Sequence, residues 1–228
     1  MTWQDGGVAT ESRTPTLRAD AERNRRRLID AAAELFAERG IEVTVAEIRE
    51  RAGVGQGTVF RHFPTKEHLM AEVMRERMTS LTALATERLE ADDPVEGLRD
   101  FMVAAAESKA VDQEIYRLIC ETNALPAEDE RALRRELVGY VDRLLRRAQE
   151  AGAIRDDVRA EDILLLETAA RQAGEALGGV APELWRRYLD IVVDGLRTEG
   201  AHPLSHPAPT DAQFDSVKVG RSGGPSPT

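Results

Sequence analysis

The most specific chemistry in this sequence is gathered between Gln56 and Lys66. Gln56 and Arg61 carry donors able to hydrogen-bond base edges in a DNA major groove, and Thr58 can touch a thymine methyl or a phosphate. Gln56, Gly57, Thr58, Phe60, Arg61 and His62 would form the open side of one short helix, and Lys66 has the charge and reach for a phosphate. Each residue alone has a plainer reading: Arg61 a solvated charge, Thr58 a helix-start residue, Phe60 a core aromatic. Together they describe a surface that reads duplex DNA.

Such a surface needs a rigid mount, and the flanking residues supply one. Leu28, Ile29, Ala32, Leu35 and Phe36 recur at helical spacing, and Gly40 after Arg39 stops that helix. Thr44 and Glu47 form a capping box that opens a helix over about 44–52; Thr44 is also counted among the DNA-contacting candidates. Gly53 permits the reversal into a second short helix over about 56–63, which ends before Pro64. Val54 and Val59 can close a small core against Ile48 and Ala52. Two short helices joined in this way make a helix-turn-helix, with the start of the second free to enter the major groove.

The charge distribution agrees. The formal net charge is −10, which argues against a polyanion partner. Yet Arg13 to Lys66 holds 11 Lys/Arg against 8 Asp/Glu, and the remainder 20 against 33. A basic end on an acidic body would favour one orientation of approach to DNA, although so small an excess also fits ordinary surface variation.

The rest reads as helical. Helices are predicted from Thr65 to about 89, from Asp93-Pro94 (with Leu98, Phe101, Met102 and Ala105 on one face), over about 111–122, over 126–149, and as a final pair over 160–178 and 182–198. In the last helix Leu184, Tyr188 and Ile191 form one seam and Trp185, Leu189, Val192 and Leu196 another. Two seams require two partners, and a second copy of the chain can supply one of them. No segment alternates with period two, so the fold class is all-α: an N-terminal three-helix helix-turn-helix domain plus a larger helical ligand-binding and dimerisation domain. The expected division is a flexible arm over 1–16, the helix-turn-helix domain over 17–64, the regulatory and dimerisation domain over 65–199, and a disordered tail over 200–228, where five of the ten prolines fall.

Other chemistries lack their residues. Gly53-x-Gly55-x-Gly57 follows a helix, not the strand a dinucleotide fingerprint requires. His202 and His206 have helical metal-ligand spacing, but Pro203 and Pro207 prevent that helix. Cys120, the single cysteine, can form no disulfide within the chain and reads as a small buried hydrophobe. No nucleophile–base–acid set can be assembled, so no catalysis, cofactor or metal is expected. No apolar run is long enough to span a membrane, and the expected compartment is the cytoplasm.

Residues 23 to about 74 resemble the TetR family of transcriptional regulators, through Ala33-Glu34-Leu35-Phe36-Ala37-Glu38-Arg39-Gly40 and Gly57-Thr58-Val59-Phe60-Arg61-His62-Phe63-Pro64-Thr65-Lys66-Glu67-His68-Leu69. The resemblance implies a homodimeric DNA-binding regulator, usually a repressor, released by a small molecule bound in the C-terminal domain. It aligns Thr58, Phe60, His62 and Lys66 with positions that usually contact DNA. Two residues depart from the pattern: Phe60 stands where Tyr is common, so a phenolic hydrogen bond to phosphate is missing, and Arg49 stands where a small residue is common.

The expected function is therefore a ligand-responsive regulator that binds a pseudo-palindromic operator in double-stranded DNA as a homodimer. Leu84, Phe101, Met102, Tyr116, Ile119, Tyr140 and Leu144 are the candidates to line an apolar effector cavity, with an ordinary filled core as the plainer reading of each. The alternatives are a helical dimerisation or adaptor protein whose helix-turn-helix binds protein, and a helical enzyme acting on a bound compound.

Overall fold

A computed structural model describes residues 13–107, 118–119, 121–175, 179–210 and 213. Among these residues lie eight α-helices: α1 (Arg13–Arg39), α2 (Val45–Ala52), α3 (Gln56–His62), α4 (Lys66–Arg88), α5 (Pro94–Glu107), α6 (Ala127–Glu150), α7 (Ala160–Glu175) and α8 (Leu184–Gly195). A 3-10 turn at Gly40–Glu42 follows α1. The β-type pairing among the described residues is one isolated bridge between Ile154 and Arg197. The fold is all-α, as the spacing of apolar residues predicts.

Several boundaries differ from the sequence expectation. α1 begins at Arg13 and passes through Pro15, because a proline in a first turn removes an N–H that has no helical acceptor. α8 spans Leu184–Gly195, shorter than the predicted 182–198, while α7 is described over Ala160–Glu175 and the last three residues of the predicted 160–178 lie outside the described residues. The helix predicted over 111–122 falls largely outside the described residues, as do Cys120 and Tyr116; residues 118–119 and 121–122 are helical.

Two buried clusters organise the chain. The first joins Leu28, Ile29, Leu35 and Phe36 of α1, Ile48 of α2, Val59 of α3, and Leu69, Met70, Val73 and Met74 of α4. The second joins Leu81 and Ala85 of α4 to Phe101 and Met102 of α5, Val141, Leu144 and Leu145 of α6, Ile163 of α7, and Trp185 and Leu189 of α8. One half of α4 is thus anchored in each cluster. A rigid rod with its ends in two cores transmits a tilt at one to the other.

The segment that follows α8 is attached further than the sequence suggests. Thr198 donates its backbone N–H to Ala153 (3.1 Å) and Leu204 donates to Asp157 Oδ2 (3.3 Å). The Arg155 guanidinium donates to the His202 carbonyl and grips Asp157 through two bonds. Residues 200–204 therefore run along 153–157, inside the stretch predicted as a disordered tail. Their backbone groups are held by Arg155 and Asp157, which composition alone does not reveal.

Candidate nucleic-acid interface

The sequence between Thr44 and Phe63 folds as local rules require. Thr44 caps α2: its Oγ1 accepts the Glu47 N–H (3.3 Å), while Glu47 Oε2 accepts the Thr44 N–H (2.8 Å) and hydroxyl (2.7 Å). Arg39 adds an ion pair to Glu47 at 2.7 Å. The Thr44 backbone and hydroxyl bonds, then Arg39, hold the Glu47 carboxyl down at about 2. Gly53 ends α2 in the left-handed region (φ 63°), where an L side chain is strained. A Cβ there would also come within 2.7 Å of Arg27 Nη2, a side-chain end that can swing aside, so the left-handed backbone is what calls for glycine.

α3 then presents two sides. Val59 is buried at 2% exposure against the first cluster. Gln56, Gly57 and Arg61 are exposed, Thr58 and His62 are half-buried, and the Phe60 ring is 52% exposed. The helix is held by one face and offers the other to a partner, as expected of a recognition helix. Thr44 is exposed, but its N–H and hydroxyl are already engaged by Glu47. Lys66 is half-buried and donates from Nζ to the Ile41 carbonyl, which ties the first turn of α4 to the 3-10 turn. A phosphate would have to use its remaining donors.

Most cations of this region are neutralised within the domain. Arg23 pairs with Asp20, Arg25 with Glu72, Arg26 with Asp30 and Glu76, and Arg51 with Glu34 and Glu38. Among the described residues 19–66, the guanidiniums of Arg27, Arg49 and Arg61 hold no ion pair or hydrogen bond. Arg27, Arg49 and Arg61 are thereby left, with Lys66, as cations whose charge no carboxylate offsets among these residues. Arg49, which stands outside the predicted contact set, lines a hollow with Val45, Ala46, Gln56, Val59 and Phe60. Its spacing from Val45 and Ala46 on one face of α2 was the available signal.

Residues 28–73 match the model of the bacterial regulatory proteins of the tetR family, and residues 93–198 match the C-terminal domain of SbtR-like transcriptional regulators. The HTH-type transcriptional repressor Rv1474c of Mycobacterium tuberculosis is 31% identical over 201 residues, covering 85% of this chain and 92% of that protein. The chain belongs to the TetR family. It is a DNA-binding transcriptional regulator, and its relatives are regulators, not enzymes. The repressor KstR2 of M. tuberculosis is 27% identical over 190 residues, covering 76% and 92% of the two chains. A TetR transcription regulatory protein from Mycobacterium vanbaalenii has a crystal structure with TM-score 0.59 at 33% identity, covering 80% of this chain and 99% of that one. These relatives do not favour the adaptor alternative.

In this TetR-family chain the predicted effector residues are only partly brought together. Phe101 and Met102 (0% exposed) and Leu144 (1%) share the second cluster, and Tyr140 packs at its edge under the Arg143 guanidinium. Leu84 is half-buried on α4. Ile119 is buried, but in the first cluster with α1 and α4; it does not adjoin Phe101 and Leu144. A segment about twenty residues beyond Phe101 returns to the helix-turn-helix side, which periodicity cannot show. Charge also enters the interior of this part, which the spacing of apolar residues does not reveal. Arg77 of α4 donates to the Ala105 carbonyl of α5 (3.1 Å), and Glu167 of α7 is buried at 7% exposure. Burial pushes the Glu167 carboxyl up to about 7, against the opposing pull of Arg77, the Thr168 hydroxyl and Arg171. Among the described residues no helix is long and apolar enough to cross a membrane.

Proposed function

We propose that the protein represses transcription in the cytoplasm as a homodimer bound to a pseudo-palindromic operator, and that a small apolar effector in the 65–199 regulatory part releases it. The observation that carries this reading is α3 itself. Val59 anchors it in the core, while Gln56, Gly57, Phe60 and Arg61 stand open along its outer side. Thr44, Thr58, His62 and Lys66 complete the proposed DNA-contacting set from the rim.

The pairing surface is proposed on α7 and α8. Leu165 is 43% and Ile191 57% exposed, and Tyr188 is half-buried and packs against the second cluster. An apolar face of this kind on two packed helices suits a self-complementary two-fold contact. A dimer built there would present its α3 helices about 34–36 Å apart, one turn of duplex. For the effector, Leu84, Phe101, Met102, Tyr140 and Leu144 are the described lining candidates, with Tyr116 outside the described residues. A ligand that fits a splayed dimer better would shift the population from the DNA-bound form. Turning 99:1 into 1:99 requires a preference of about 5.5 kcal/mol. α4, anchored in both clusters, is the element through which the tilt would pass.

Selection of bound fragments from random duplexes tests the reading. A two-fold-related consensus bound by a sedimenting dimer, with affinity falling steeply with salt, is the expected result. A monomer, or binding without sequence preference, would overturn it.

A further inference from the structure

The exposed ring of Phe60 sits on the surface proposed to meet DNA, and it lacks the hydroxyl that would bond a phosphate. Exposed large apolar side chains grouped on a functional face mark contact sites. Phe60 does not stand alone: it borders a half-open hollow of about 230 Å3 between α2 and α3. Val45, Ala46 and Val59 give the hollow apolar walls, and Gln56 and Arg49 stand at its polar rim. The Arg49 guanidinium holds no ion pair or hydrogen bond among the described residues, although its neighbours Arg39 and Arg51 are each paired with glutamates. The hollow thus combines apolar walls with one uncommitted positive charge.

In a major groove the apolar group on offer to an aromatic side chain is the 5-methyl of thymine. The anion beside every base is its backbone phosphate. We propose that the hollow between α2 and α3 seats one thymidine nucleotide in each operator half-site, its 5-methyl against Phe60 and the α2 wall and the adjoining phosphate on Arg49. The inference rests on the DNA-reading orientation of α3 proposed above and goes beyond it by naming the base, the side chain that selects it and the side chain that holds its phosphate. Phe60 reads the methyl group, and Arg49 holds the adjoining phosphate without itself selecting the base.

The experiment starts from a duplex selected by the full-length protein. Each thymine is replaced in turn by deoxyuracil, which removes one methyl group and nothing else. One thymine per half-site is expected to weaken binding about fourfold on replacement, the factor that burial of one methyl-sized group supplies. Phe60→Ala should bind the thymine and uracil duplexes equally. Arg49→Ala should keep the thymine preference and lower the salt dependence by about one for each half-site. Phe60→Leu, which retains apolar bulk, and the sedimentation of every variant show that the fold is kept. If no thymine is sensitive to the exchange, or if Phe60→Ala remains equally sensitive, the assignment of the hollow is overturned while the regulator reading survives. An unchanged salt dependence in Arg49→Ala overturns the phosphate half. Failure to select any duplex overturns the regulator reading, and this inference falls with it.

Discussion

Gly174 of α7 lies directly on the backbone of Trp185 of α8: a Cβ at 174 would stand 2.8 Å from the Trp185 Cβ and 2.9 Å from its backbone nitrogen. Neither atom can swing aside, since both are fixed by the backbone. Arg186 stacks its guanidinium 4.6 Å from the Trp185 ring and pairs with Glu107 of α5. Gly174→Ala gains up to about 1 kcal/mol of helix propensity but forces the helices apart, which costs about 1–3 kcal/mol. Where a contact falls below the distance Cβ atoms tolerate, the second effect wins. A lowered thermal midpoint is expected, with weakening in sedimentation of the dimer proposed on α7 and α8; an unchanged midpoint would show that α8 yields without cost.

Thr44→Ala removes the hydroxyl of the capping box, a change typically worth about 1 kcal/mol at a helix start. It also strips Glu47 of one of the two Thr44 bonds that depress its pKa. A carboxyl held at about 2 in the folded chain, against an ordinary 4.5, stabilises the fold above the ordinary value; that contribution fades as pH falls from 4.5 toward 2. The gap in denaturation midpoint between the native chain and Thr44→Ala should therefore be widest near neutrality and shrink in acid. A gap independent of pH would assign the cap to the hydroxyl alone.

Arg61 and Arg51 offer a matched comparison. Arg61 is exposed on α3 without an ion pair, whereas Arg51 is held by Glu34 (3.1 Å) and Glu38 (3.4 Å) on α1. Arg61→Ala should weaken the selected operator by about 1–3 kcal/mol and relax preference at one base position. Arg51→Ala should leave operator affinity close to native, because its charge is already neutralised on the protein. Equilibrium titrations at one fixed salt concentration decide it; equal losses in the two variants would place both or neither in the groove.

Glu167 makes stability fall with rising pH in a defined window. Its carboxyl titrates at about 7 in the fold and near 4.5 when exposed. Between those values the folded chain keeps a proton that the unfolded chain has lost, so stability declines from pH 4.5 to about 7. Burial is the cause; Arg77 and Arg171 oppose it. Glu167→Gln, neutral throughout, should flatten this part of the profile and raise the denaturation midpoint at pH 8 relative to the native chain. Parallel profiles would remove Glu167 as the titrating group.

The helix boundaries around the interface were legible because each depends on residues within about four positions. Gly40 after Arg39, the Thr44–Glu47 box and the turn at Gly53 are local bargains between side chains and orphan backbone groups. The start of α3 at Gln56 follows from them, and so does its open side. The start of α1 at Arg13 lies inside the stretch expected as a flexible arm over 1–16, because polar residues and Pro15 are tolerated in a first turn.

What the linear order determined, then, was the all-α class and the register of the helix-turn-helix, since capping and periodicity act over a few residues of one chain segment. Only tertiary packing decided that Ile119 joins the α1–α4 core, that Lys66 is tethered to Ile41, that Arg49 faces the hollow beside Phe60, and that Arg77 and Glu167 share an apolar interior. Those outcomes depend on which surfaces meet across tens of residues, where burial and desolvation outweigh local preference.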